Sequence, residues 1–204
     1  MALDIKPNRS ELIKLKKRIK LAKSGHNLLK KKRDGLIMEF FEVLKQAKTV
    51  RAELVAQYQQ AVGQINLART VESDAVVQSI AWAVQQHPSI TLQTKNIMGV
   101  VVPRITGGNV QKELLMRGYG VTSSTAAIDS AASAYEKTVE HSIRAAEVET
   151  TMKKLLAEIE KTKRRVNALE FKVIPELDAK RKQIALRLEE MEREGTFRMK
   201  RVKG

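Results

Sequence analysis

From Leu12 onward, apolar residues recur at alternating steps of three and four, and this periodicity constrains the fold more than any other feature of the chain. The stripe runs Leu12, Leu15, Ile19, Ala22, His26, Leu29, Arg33, Leu36, Phe40, Val43, Ala47, Val50, Leu54, with only His26 and Arg33 polar. A 3.5-residue period held over about six heptads is the seam of a left-handed coiled coil. Pro7-Asn8-Arg9-Ser10 is a helix-start signal with Ser10 as N-cap. Past Leu54 the phase slips toward Tyr58, Ala61, Ile65 and Ala68, and the helix is predicted to end near Thr70. At ~1.5 Å per residue it would be roughly 90 Å long.

A second seam begins after Thr122-Ser123-Ser124-Thr125, a stretch rich in capping residues. It includes Tyr135, Val139, Ala146, Met152, Leu155, Ile159, Val166, Leu169, Val173, Leu177, Ile184, Leu188 and Met191. Four-residue steps near Pro175 and Ile184 are stutters, which unwind a supercoil locally. The pattern resumes beyond Pro175, so that residue predicts a kink and not a stop. Glu194-Gly195-Thr196 predicts a frayed end before Phe197–Lys203.

Two long helices around a short middle predict a mainly α chain: a long antiparallel two-helix coiled-coil hairpin, divided as 1–72, 73–121 and 122–204. The middle holds a short helix over Val76–Gln86, stopped by His87-Pro88. Ser89–Gln93 and Ile97–Val102 are β-prone and separated by Thr94-Lys95-Asn96. They read as a small hairpin in which Pro103 is tolerable only at an edge or end. Thr106-Gly107-Gly108-Asn109 reads as a loop. Val110–Met116 reads as a helical turn, broken by Arg117-Gly118-Tyr119-Gly120. With 30% charged and only 4% aromatic residues, the composition fits long helices and not a thick globular core.

The placement of charge says more than its total of +15. Residues 1–35 carry 12 Lys/Arg against 3 Asp/Glu, and residues 193–204 carry 5 against 1. An antiparallel hairpin brings both segments to one tip. A basic tip calls for an acidic counterpart: nucleic acid, an anionic membrane surface or an acidic protein cavity. The only aromatic in these basic ends is Phe197, so base stacking is poorly served. The run Lys30-Lys31-Lys32-Arg33 reads first as a solvated or partner-facing surface.

Other classes find little support. There is no Cys, which excludes a disulfide framework. The longest apolar run, around Val100–Val102, falls far short of the ~20 residues of a membrane span, and Met1–Ser10 has no apolar signal core. Gly107-Gly108 lacks the Gly-Lys-Ser/Thr of a phosphate loop, and Gly118-x-Gly120 is followed by Ser123 where a dinucleotide fingerprint needs Gly. His26, His87 and His141 are far apart and have no Cys companions, so no metal site is expected. His26 and Arg33 either fix register as polar seam residues or bend toward solvent.

Several strings carry a family resemblance. The segment from Ile19 to Ile37 (Ile-Lys-Leu-Ala-Lys-Ser-Gly-His-Asn-Leu-Leu-Lys-Lys-Lys-Arg-Asp-Gly-Leu-Ile) resembles the first helix of the D subunit of V/A-type rotary ATPases. Lys161-Thr-Lys-Arg-Arg-Val-Asn-Ala-Leu-Glu-Phe-Lys-Val-Ile-Pro175 is similar to that family's second-helix block. Asn96–Pro103 resembles its mid-chain segment and Phe197–Lys203 its tail, in the archaeal-like form. The likeness covers nearly the whole chain in the same order.

The resemblance implies a non-catalytic central shaft of an ATP synthase/ATPase, without a cofactor. It would pass torque between an ion-driven membrane ring and a catalytic hexamer of A and B subunits. It also implies the F subunit as a clasp, a funnel-shaped subunit toward the ring, and a peripheral place on the cytoplasmic face of the membrane. The hexamer would meet the tip, for which Lys14, Lys17, Lys30, Lys31, Lys32, Arg198, Lys200, Arg201 and Lys203 are the candidates. A structural coiled-coil scaffold and a basic nucleic-acid-binding rod are the alternatives.

Overall fold

The computed structural model describes residues 8–84, 88–108, 110–120 and 124–204. In chain order they form α1 (Arg9–Val71), α2 (Asp74–Ala83), strands β1 (Ser89–Ile97) and β2 (Val100–Gly108), a 3₁₀ turn (Leu114–Met116), α3 (Ala126–Ala168), a π-helical stretch (Leu169–Val173) and α4 (Ile174–Lys203). The architecture is mainly α, with two long helical stretches and one small two-stranded sheet. Contacts divide it into a first unit, Met1–Leu36 with Glu158–Gly204, and a second, Ile37–Ala157.

In the first unit the early part of α1 packs antiparallel to the C-terminal stretch. Arg9 pairs with Glu192 and His26 with Glu170, so partners descend as α1 ascends. The seam is narrow. Leu15, Ile19, Leu36, Thr162, Val166 and Ile184 are buried. Leu12, Ala22, His26, Leu29, Arg33, Ile159, Leu169, Val173, Leu177 and Leu188 are half-buried, whereas Met191 and every residue after it are exposed. Thr162 is only 2% exposed, so its methyl group serves as a seam residue that a count of apolar letters overlooks.

The helix does not stop at Pro175. Proline lacks an N–H, and its ring crowds the carbonyl four residues back. Just upstream the chain widens into the π-helical stretch, where the Ile174 N–H reaches back to the Leu169 carbonyl. One extra residue in a turn relieves the crowding and takes up the four-residue steps in the seam. The frayed end expected at Glu194-Gly195-Thr196 is corrected: α4 continues to Lys203. The Thr196 hydroxyl donates to the Glu192 carbonyl (2.8 Å), and Arg198 lies 3.6 Å from Glu194. One interior glycine costs only ~1 kcal/mol, too little to break this ladder.

In the second unit the later part of α1 packs against α3. Phe40, Val43, Ala47, Val50 and Leu54 are half-buried, and Ala61 and Ala68 are buried. Tyr58 is exposed, and Gln57 takes the inward position. On α3 the expected seam is partly displaced. Tyr135, Val139 and Ala146 are exposed, whereas Ile128, Ala131, Thr138, Ala145, Thr151 and Leu155 are buried and Met152 half-buried. The Thr138 hydroxyl donates to the Ala134 carbonyl (2.9 Å). Satisfied within its own helix, the residue turns an apolar face inward, and the heptad step from Ala131 to Thr138 to Ala145 becomes visible. Ahead of α3, the Thr125 carbonyl accepts from the Ile128 and Asp129 amides. Thr122 and Ser123, the first half of the capping-rich stretch, lie outside the described residues.

The middle holds the expected hairpin with different strands. β1 and β2 pair antiparallel from Ser89↔Gly108 to Ile97↔Val100. Thr94-Lys95-Asn96 belongs to β1, and Thr106-Gly107-Gly108 to β2; the turn is Met98-Gly99. Both turn residues have positive φ, 49° and 86°, as a two-residue I′ hairpin turn requires. Asn96 Oδ1 accepts from the Gly99 amide at 2.8 Å, closing the turn. α2 starts at Asp74, two residues before the expected Val76, and Val110–Lys112 are not helical. Gln86, His87 and Asn109 lie outside the described residues.

Candidate interaction surfaces

Two polar constellations stand out, one in each unit. In the first unit the basic candidates spread over the exposed faces of two helices. Lys14, Lys17, Lys30, Lys31, Arg198, Lys200, Arg201 and Lys203 are exposed and Lys32 half-buried. Lys14 pairs with Glu11 at 2.8 Å. The end of α4 is bare on every side, with Phe197, Met199 and Val202 exposed among its cations. By sequence the first unit holds 26 Lys/Arg against 12 Asp/Glu, and the second 12 against 11. All but one of the net charges therefore belong to the first unit.

The two polar seam residues behave differently. The Arg33 side chain turns along its own helix, giving two hydrogen bonds to Asp34 Oδ1 at 3.0 and 2.8 Å. His26 stays inside, its side chain 15% exposed, with Nε2 3.4 Å from Glu170 Oε2. That contact is near but poorly directed, and Nε2 has no hydrogen-bond partner among the described residues. Pro175, the expected kink residue, is the second residue of α4, one beyond Ile174, which follows the π-helical stretch.

In the second unit a buried arginine is the most connected of the groups that tie the middle segment to α3. Arg117 is 6% exposed. Its Nε and Nη2 donate to the two Glu136 oxygens (3.1 and 3.2 Å), Nη2 also to Ser133 Oγ (2.8 Å), and Nη1 to the Asp129 carbonyl (3.2 Å). Tyr119 donates to Asp129 Oδ1 at 2.7 Å, and the Lys112 amide to Glu136. Burial works against the Arg117 charge, but the bonds to Glu136 and Tyr119 and the carboxylate's field outweigh it, raising its pKa. Burial raises the Tyr119 pKa, and the bond to Asp129 adds to this against the opposing pull of Arg117. Gly118, at φ +90°, lets this segment cross the end of α2: an added Cβ would lie 2.8 Å from the Ala83 carbonyl oxygen.

Sequence reasoning missed this anchor, since Arg117 lies between turn glycines, outside any periodic pattern. The available signal was Asp129, Ser133 and Glu136, a polar stripe at helical spacing on α3. Beside the anchor, Ala68, Tyr119, Ile128 and Ala131 form a compact apolar cluster that joins the end of α1 to the start of α3.

The hairpin lies along α3. The Ile105 amide donates to Glu147 Oε2 (3.2 Å), Lys154 Nζ donates to the Val101 carbonyl (3.1 Å), and Gly107 abuts Ile143. Among the described residues no helix is long and apolar enough to cross a membrane. The two constellations are thus an exposed cationic surface in one unit and a hydrogen-bonded network that holds the middle segment against α3 in the other.

Comparison with known proteins gives a consistent result. The sequence profile of the ATP synthase D subunit family matches residues 11–204. The A-type ATP synthase D subunit of Methanosarcina acetivorans is 60% identical over 98% of this chain and 96% of its own length. That of Methanococcoides burtonii is 58% identical over 99% and 98%, and that of Haloarcula marismortui 54% identical over 100% and 88%.

Proposed function

Because this chain belongs to the ATP synthase D subunit family, we propose that it is the central rotor shaft of an archaeal A-type ATP synthase. In this reading it carries torque between the ion-driven ring in the membrane and the catalytic hexamer of A and B subunits. It performs no catalysis of its own, is held by the F subunit, and rests through a funnel-shaped subunit on the ring, at the cytoplasmic face. Pro175 bends the second helix around the first.

The observation that carries this reading is the charge asymmetry. The first unit holds nearly the whole excess of +15, and the second is almost neutral. Like charges gathered on one helix pair repel one another, and a complementary cavity relieves that repulsion. Long Lys and Arg side chains make many weak contacts, which suits a surface that must turn past several collar positions better than one fixed ion pair would.

The test is reconstitution with the A and B subunits across a range of salt. The chain alone releases no phosphate from ATP. Changing Lys30, Lys31 and Lys32 together to Gln weakens assembly, most at low salt, because the attraction is screened over ~8 Å at physiological ionic strength. Deleting Thr196–Gly204 lowers coupling more than ATP turnover. If both variants assemble and couple like the parent at every salt concentration, the basic surface only keeps the chain soluble.

A further inference from the structure

We propose that the outer edge of β1 receives an added strand: an extended, acid-bearing segment of another subunit of the assembly. The inference rests on the shaft reading above for the existence of that assembly.

Hydrogen-bond parity defines the edge. The Ile105 amide and the Val101 carbonyl point away from β1, because they bond to Glu147 and Lys154 of α3. Pro103 shares their phase, so its missing N–H costs the ladder nothing. The cross-strand partners of Val101, Pro103 and Ile105 are Asn96, Thr94 and Leu92. In an antiparallel pair, the backbone groups of opposed residues point both inward or both outward. Those of Leu92, Thr94, Asn96 and, in the same phase, Ile90 therefore face away from β2.

The two edges of this small sheet are treated differently. β2 is covered by Glu147, Lys154 and Ile143. β1 is exposed from Ser89 through Asn96, with Ile90 54% and Leu92 70% exposed. Proteins usually protect so long an edge with prolines, bulges or several charges. β1 has neither Pro nor bulge, and Lys95 is its one charge.

Charge identifies the occupant's chemistry. The hairpin, residues 89–108, contains Lys95 and Arg104 and no Asp or Glu. A second copy of β1 would bring no carboxylate to this edge, since the strand contains neither Asp nor Glu. An acidic strand would set a carboxylate beside Lys95. Because strand side chains alternate between faces, its apolar residues would lie beside Ile90 and Leu92 on the other face. Backbone bonds would supply the attachment, as in other cases of strand addition.

The test is residue-resolved amide exchange of the full chain, alone and reconstituted with the other synthase subunits. In the free chain, Thr91, Gln93, Lys95 and Ile97 exchange slowly and Ile90, Leu92, Thr94 and Asn96 fast. On assembly the second set slows at least tenfold while the first changes little. Thr94→Pro, which removes only an outward N–H, and Lys95→Glu, which reverses the charge, each abolish most of that slowing, with the hairpin's inward amides still protected. If the complex forms and the outward amides stay fast, strand addition is overturned and the shaft reading stands. If the parent chain joins no complex, both fall. Slowing that grows with the concentration of the isolated chain assigns the edge to a second copy and overturns the proposal.

Discussion

The two units are built from the same helices but held in different ways. The first depends on a narrow seam beneath a strongly cationic surface. The second adds a buried arginine with four side-chain and backbone partners, and carries almost no net charge. A seam of interchangeable apolar residues tolerates small shifts, because each contact resembles the next. A bidentate arginine–carboxylate pair has one geometry. The contrast separates a part suited to many weak contacts from a part that fixes a hairpin in place.

The largest expected effect comes from breaking the anchor. Arg117→Ala leaves the Glu136 carboxylate without its charged partner and Ser133 without its donor in a mostly buried site, and losing one side of such a pair costs ~3–5 kcal/mol. Amide exchange accelerates in β2, the 3₁₀ turn and the start of α3, while residues 9–36 and 158–203 keep their parent rates. Equal acceleration in both units would show that they unfold as one and that the anchor is not local.

A seam substitution sharpens the comparison from the other side. Val166 is 1% exposed in the first unit. Val166→Ala removes two methyl groups, a loss of about 1.5 kcal/mol at ~0.8 kcal/mol per buried carbon. With only two helices to collapse toward each other, the residual cavity is small and adds little. The change registers as a lower midpoint for helix loss and faster exchange in the first unit, with the Arg117 network unaffected. A loss as large as that from Arg117→Ala would mean that the seam is packed as rigidly as a globular core.

These differences also explain what the sequence revealed. The seam from Leu12 to Leu54 was legible because each contact repeats at a fixed step, so that many residues testify to one geometry. Along the second long helical stretch the legibility faded because Thr138, Thr151 and Thr162 occupy buried positions, and a hydroxyl satisfied within its own helix, as at Thr138, hides an apolar face. The hairpin was legible as β-prone sequence, but its turn was not: Met98 is an uncommon residue at positive φ, and Thr94-Lys95-Asn96 has the more turn-like composition. Of the Arg117 anchor only one half left a trace, the Asp129, Ser133 and Glu136 stripe on α3. Its pairing with Arg117 spans up to 19 residues, and no local pattern encodes that match. The charge division was visible in outline from the two chain ends. Its fuller form, with nearly all of the excess in one unit, required knowing which residues pack together.

Salt should produce the smallest effect, and its sign discriminates most finely between the units. The first unit contains several exposed ion pairs, among them Arg9–Glu192, Lys14–Glu11 and Arg198–Glu194. Exposed pairs are each worth about 0–1 kcal/mol, and salt weakens them. The same unit holds 26 cations against 12 anions, and salt weakens their mutual repulsion as well. The repulsion sums over every pair of like charges within a Debye length, which shrinks from roughly 30 Å at 0.01 M to about 8 Å at 0.15 M. The attractive pairs are few, and their partners lie within about 4 Å, where screening acts least. Repulsion therefore loses more. Raising salt across that range slows exchange in the first unit by a factor of about 2–5, which corresponds to ~0.4–1 kcal/mol at RT ≈ 0.59 kcal/mol. The second unit, with 12 cations against 11 anions, stays within a factor of about 1.5. Faster exchange in the first unit at high salt would show that its ion pairs outweigh its repulsion. In that case the cationic surface would already be balanced in the free chain, with no electrostatic strain for a partner to relieve.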